Sequence, residues 1–318
     1  MFDTSPEIAA RLEQLHVERA KLTESLLAVN TRQGYKYDWK HFEKWCFDME
    51  LRALPAEEET VSLYATSMLS DGKKTSTATR RVAAVAYMHR ALSLKSPVTR
   101  DVRQLIHGAK RMRTEQVRRM RPLQLADVRA IAISLAAEGT PIAIRNRAII
   151  LTGFVSALRS ANLAALHVND VEFCEPGCLL RINREKNDQE GRGRMIGLPK
   201  GSAIETCPVG ALADWMERRG GFPGPLFTRF ASTGALQALP LVPERIGLVV
   251  KQCAQRIGLD PQFYSGHSLR SGFVTTAGES GASDLLIAHQ TGHRDMNVLR
   301  RYFRKQDCFR GAVSMLGV

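Results

Sequence analysis

The stretch GHSLRSGFVTT occupies residues 266–276, and GHRDMNVLRRYF follows at residues 292–303. Between them they hold His267 with Arg270 three positions on, and His293 with Tyr302 nine positions on. The His-x-x-Arg spacing places both side chains within one helical turn. Imidazoles and guanidiniums suit a ligand with negative charge on a phosphorus centre, because the planar guanidinium fork matches phosphate oxygens. A tyrosine hydroxyl beside them can act as a nucleophile on that centre.

Composition agrees with such a ligand. Lys and Arg number 45 against 32 Asp and Glu, a formal net charge of +13 in 318 residues, which implies a polyanionic partner, nucleic acid first. The length predicts two domains, each with its own core. No run of eighteen apolar residues occurs, and MFDTSPEIAARLEQ has neither a basic leader nor an apolar core. The expectation is therefore no membrane span and a cytoplasmic protein, associated with the nucleoid when bound to DNA. The six cysteines are scattered, and Cys174 and Cys178 have no second ligand pair at matching spacing, so no metal site is predicted.

The first 117 residues read as helical. SPEIAARLEQLHVERAKLTESLLA, TRQGYKYDWKHFEKWCFDM, PAEEETVSLYATSML and TSTATRRVAAVAYMHRAL each carry apolar residues at helical spacing. In the second, Tyr35, Trp39, Phe42 and Trp45 share a face that reads as core, while Lys36, Lys40 and Lys44 share another that faces either water or phosphates. Arg80 and Arg81 fall on the fourth. A basic run, RDVRQLIHGAKRMRTEQVRRMRPL, holds Lys110, Arg111, Arg118, Arg119 and Arg121 and leads to a domain joint, with a linker at 118–121. Beyond it, from residue 122, IAIRNRAIILTGFVSALRSANLAAL predicts a pair of apolar helices ending in a buried-looking turn that contains Arg159. GCLLRINREKNDQEGRGRMIGLP predicts an antiparallel hairpin that carries Lys186, and helical patterns resume to the end. The chain is thus mainly α with one small sheet.

Arg159, Lys186 on a hairpin, His267-x-x-Arg270, then Gly-His293 with Tyr302 beyond, taken in that order, resembles the tyrosine recombinases, or phage-type integrases, and within them the two-domain, Cre-like members. The resemblance covers nearly the whole length. It implies a helical, SAM-like core-binding domain that clasps DNA (1–117), the linker, and an α-rich catalytic domain (122–318) with a small antiparallel sheet. It also implies a reaction: Tyr302 attacks a backbone phosphate, His267 accepts the phenol proton, Arg159 and Arg270 clamp the phosphate oxygens, His293 adds a hydrogen bond, and Lys186 protonates the departing 5′-oxygen. Neither metal nor cofactor is called for. The implied partner is double-stranded DNA with inverted-repeat half-sites, bound by a homotetramer that is a monomer free in solution. The tail, 304–318, is expected to dock on a neighbouring protomer. At the position where relatives often carry an acidic residue, three after the first Arg, this chain has Asn162.

Overall fold

The computed structural model describes residues 29–113, 120–183, 193–293 and 295, with positions 11, 14, 15 and 18. The chain divides into two compact units, 1–117 and 118–318. The first predicted helix lies almost wholly outside the described residues, as do Arg118, Arg119, Lys186, Tyr302 and the tail.

Among the described residues of the first unit from Val29 on, the helices are α1 (Val29–Asp48), α2 (Glu58–Ser70), α3 (Thr75–Ala91) and α4 (Arg100–Met112). The predicted aromatic stripe of α1 is the core: Trp39 and Phe42 are buried with Cys46, and Phe42 meets Tyr64 of α2 edge-on at 4.9 Å. Thr99 caps α4, its hydroxyl accepting from the Asp101 and Val102 N–H groups. His89 is fully buried. Its Nδ1–H donates to the Val85 carbonyl and its Nε2 accepts from Ala56 N–H, each at 2.9 Å, so the ring is neutral and both nitrogens are satisfied.

The second unit runs α5 (Leu125–Glu138), α6 (Pro141–Val155), α7 (Ser160–Ala164), β1 (Val171–Cys174), β2 (Gly177–Ile182), β3 (Arg194–Pro199), α8 (Pro208–Arg219), β4 (Thr228–Phe230), β5 (Leu236–Pro240), α9 (Pro243–Arg256), α10 (His267–Glu279) and α11 (Asp284–Thr291). Gln124 and Asp127 form a capping box at the start of α5, and Thr140 with Pro141 starts α6. α6 is buried at every position from Ala143 to Phe154 except Ile144, which makes it the central helix. The predicted hairpin is β2–β3, in register from Gly177↔Pro199 to Ile182↔Arg194. Cys178, Leu180, Ile182, Ile196 and Leu198 alternate into the core. None of the described helices is long and apolar enough to cross a membrane.

Three sequence expectations are corrected. β1 joins the hairpin as a third strand, and a second antiparallel sheet, β4–β5, stands where only helices were expected. β4 has 3 residues and its pairing with β5 is irregular, too little for an alternating pattern to register. The turn that contains Arg159 separates the two predicted helices where it was expected to end the pair: Arg159 is the extended cap residue ahead of α7. α6 ends at Val155 and Ala157 turns into the left-handed region, φ 51°, which breaks the helix just before it.

Candidate active site

The site is built on the start of α10. Ser268 N–H donates to the Ser265 carbonyl at 2.8 Å, and Ser265 N–H returns a bond to Ser268 Oγ at 3.0 Å, closing the turn that begins the helix. Leu123 lies against α10, its N–H donating to the Ser268 carbonyl at 3.0 Å. Gly272 permits that approach, because a Cβ there would stand 1.9 Å from the Leu123 carbonyl oxygen. At Gly266 a Cβ would stand 2.0 Å from Ser160 Oγ. The start of α7 therefore abuts the start of α10, which brings Arg159, one residue before Ser160, beside His267.

Arg270 is 1% exposed. Its Nη1 donates to the carbonyl of Ala157 at 2.7 Å, the residue in the left-handed turn, and its Nη2 donates to His293 Nε2 at 3.0 Å. His293 follows Gly292, the left-handed C-cap of α11, φ 68°. Its Nδ1 lies 2.7 Å from the hydroxyl of the buried Thr291. α11 is fastened in turn: Gln290 Nε2 donates to the Val155 carbonyl at 2.9 Å, and Arg194 Nη1 donates to the His289 and Gln290 carbonyls at 3.0 Å each. A cation on the last carbonyls of a helix suits its dipole.

The electrostatics are those of a concentrated positive site. Burial lowers the His293 pKa to about 4, with Arg270, Arg159, His267 and Arg194 adding to the effect. His267 keeps solvent-accessible surface, yet the protein crowding its ring lowers its pKa first by desolvation, then through the charges of Arg270 and Arg159. Both imidazoles are neutral at pH 7.

A model of the phage integrase family matches residues 110–308. An integrase/recombinase XerD homolog from Selenomonas ruminantium is 30% identical over 302 residues, 94% of this chain and 88% of the relative. The chain belongs to the phage integrase family, the tyrosine recombinases. The Cre recombinase of Escherichia phage P1 is 24% identical, over 86% of this chain and 83% of its own. The fold is that of the Tn1549 transposon integrase, solved in complex with circular intermediate DNA: TM-score 0.60 at 15% identity, covering 91% of this chain and 94% of that one. The protein is thus a tyrosine-type site-specific recombinase.

Of the sequence-predicted site residues of this recombinase, Arg159, His267, Arg270 and His293 come together from three separate segments. Lys186 and Tyr302 lie outside the described residues. The described residues on either side of 184–192 are held: Asn183 Nδ2 donates to Asp170 Oδ1 at 2.7 Å, and Arg194 holds the end of α11. Among the basic residues, Lys36, Lys40, Lys44, Arg80, Lys110 and Arg111 are exposed, with Lys44 paired to Asp48 at 2.9 Å and Arg80 to Asp38 at 3.1 Å. Arg81 has its side chain only 17% exposed, facing Asp38 at 3.7 Å and donating to His41 Nε2 at 2.8 Å. Arg121 is exposed as well and stacks over the Phe263 ring at 4.4 Å. Sequence reasoning missed Ala157, Arg194, Gln290 and Thr291. Only Thr291 carried a signal, a hydroxyl two positions ahead of a site histidine.

Proposed function

We propose that this recombinase cuts and rejoins DNA through a 3′-phosphotyrosyl intermediate on Tyr302, passing through a Holliday junction as a tetramer on two inverted-repeat sites. Residues 1–117 clasp the DNA, 118–121 link, and 122–318 catalyse. The convergence of two arginines and two neutral imidazoles at the start of α10 carries the reading, since that set matches a phosphate in transit between two oxygens.

The Tyr302 oxygen bonds to phosphorus as the bond from phosphorus to the 5′-oxygen breaks, leaving the 3′-phosphate on the tyrosine. The phenol proton goes to His267, whose lowered pKa keeps it neutral and able to accept. Arg159 and Arg270 take the negative charge that gathers on the non-bridging oxygens, and Arg270 meets it already oriented by Ala157 and His293. Lys186 gives a proton to the departing 5′-oxygen. Lys36, Lys40, Lys44, Arg80, Lys110 and Arg111 offer exposed charge to the DNA backbone, with Arg118, Arg119 and Arg121 following at the joint.

The test is strand exchange between two DNAs carrying a site recovered from bound genomic fragments. The parent should yield four-way junctions and recombinants. Tyr302→Phe should yield neither while binding the same DNA within a few-fold. Relaxation of supercoiled DNA without any exchange would instead identify a topoisomerase-like activity, and binding without cleavage by the parent would identify a silent DNA-binding protein.

A further inference from the structure

We infer that Thr291 is a positioning residue of this recombinase: its hydroxyl holds His293 in the tautomer whose Nε2 is an acceptor, and that acceptor fixes the Arg270 guanidinium. A guanidinium has N–H groups and no acceptor, so the 3.0 Å contact between Arg270 Nη2 and His293 Nε2 requires a lone pair on Nε2. A neutral imidazole then carries its proton on Nδ1, which donates to Thr291 Oγ1 at 2.7 Å. The Thr291 hydroxyl is free to accept there, because its own proton goes to the Ile287 carbonyl at 2.6 Å, the bond one turn back in α11. Thr291 is fully buried, so no water substitutes for it.

The chain of bonds is directional. Ile287 orients the hydroxyl, the hydroxyl orients the imidazole, and the imidazole and the Ala157 carbonyl hold two nitrogens of Arg270. Two acceptors fix a planar guanidinium in its plane, where one would leave it able to swing. Among the described residues, the charged and titratable groups that face His293 oppose the doubly protonated ring: Arg270 and His267 from α10, Arg159 from the cap of α7, and Arg194 from β3. The alternative tautomer would set N–H against N–H. In the free protein His293 is therefore a holder of Arg270.

Replacing the hydroxyl by a methyl takes the Thr291 acceptor away from Nδ1–H, which favours transfer of the proton to Nε2 and release of Arg270. The catalytic consequence rests on the proposed reaction, whereas the tautomer does not, and the two are read separately. The tautomer is read from long-range ¹⁵N–¹H spectra of the full chain labelled with ¹⁵N-histidine, at pH 7 without DNA, with His293 assigned through His293→Gln. The parent and Thr291→Ser should show a protonated Nδ1 and a bare Nε2, and Thr291→Val should show Nε2–H. A parent His293 with Nε2–H, or a Thr291→Val that keeps Nδ1–H alone, overturns the inference. In DNA cleavage, Thr291→Val should slow adduct formation by roughly tenfold to a hundredfold at unchanged DNA affinity. Thr291→Ser should restore it. If Thr291→Val fails to fold, the parent spectrum still decides the tautomer and the serine variant decides whether the hydroxyl suffices. If the parent forms no adduct on Tyr302, the proposed reaction fails while the tautomer result stands.

Discussion

Substituting Gly272 by alanine sets two physical effects against each other, and their signs differ. Gly272 lies inside α10, where replacing glycine with alanine ordinarily stabilises a helix by about 1 kcal/mol. Here the new Cβ would stand 1.9 Å from the Leu123 carbonyl oxygen and 2.9 Å from its carbon. Ordinary contact begins near 3.4 Å, so the Leu123 backbone has to retreat by about 1.5 Å. That movement breaks the bond from Leu123 N–H to the Ser268 carbonyl, worth about 1 kcal/mol net. It also lifts a fully buried leucine out of the core, an overpacking cost of about 1–3 kcal/mol. The net expectation is a loss of about 2 kcal/mol, which in a unit of this size lowers its melting temperature by about 4–8 °C. Because Arg270 is two residues away, displacement of the helix on the ångström scale should also slow phosphotyrosyl adduct formation by about a hundredfold. Calorimetry and single-turnover cleavage measure the two effects. A raised melting temperature would refute the reasoning, since it would mean that Leu123 does not lie against α10.

Ala157→Gly should stabilise the second unit by about 1 kcal/mol, since glycine adopts the left-handed turn without the Cβ clash; denaturant unfolding checks it. His293, held at about 4 against an ordinary 6.5, binds a proton in the unfolded chain between those values that the folded chain refuses. Its contribution to stability is therefore complete above pH 6.5 and is lost as pH falls toward 4, with His267 and His41 acting in the same direction. The drop in melting temperature from pH 7 to pH 5 should accordingly shrink in His293→Gln. DNA affinity should fall by on the order of a thousandfold between 50 and 200 mM salt if roughly 6 to 10 phosphates are neutralised. A nearly flat salt titration would remove the exposed lysines from the DNA contact.

How far the sequence could be read depended on the range of each interaction. His267, Arg270 and His293 were legible because their spacing is short and their residue types are uncommon together. The hairpin of β2 and β3 was legible because six paired positions on each strand are enough for alternation to show. The position of Arg159 ahead of its helix was not, because the left-handed turn that places it falls on Ala157, a residue that favours continuing a helix. β4 and β5 were hidden by their brevity. Arg194 and Gln290 reach partners 95 and 135 positions away, a relation that no local pattern encodes. The basic residues show the same limit: Arg81 and Lys40 look alike in sequence, yet a buried Asp38 and His41 hold the first while the second faces solvent.

The central claim is that Tyr302 forms a covalent bond to a DNA 3′-phosphate, with the site at the start of α10 as its electrostatic support. It is tested most directly by trapping the protein on nicked DNA that loses its 5′-hydroxyl strand after cleavage, digesting the adduct, and sequencing the nucleotide-bearing peptide by mass spectrometry. A single modified peptide containing Tyr302 is expected, linked through a 3′-phosphate and absent in Arg270→Ala. An adduct on any other residue, a link through a 5′-phosphate, or no adduct on a site the protein binds would contradict it.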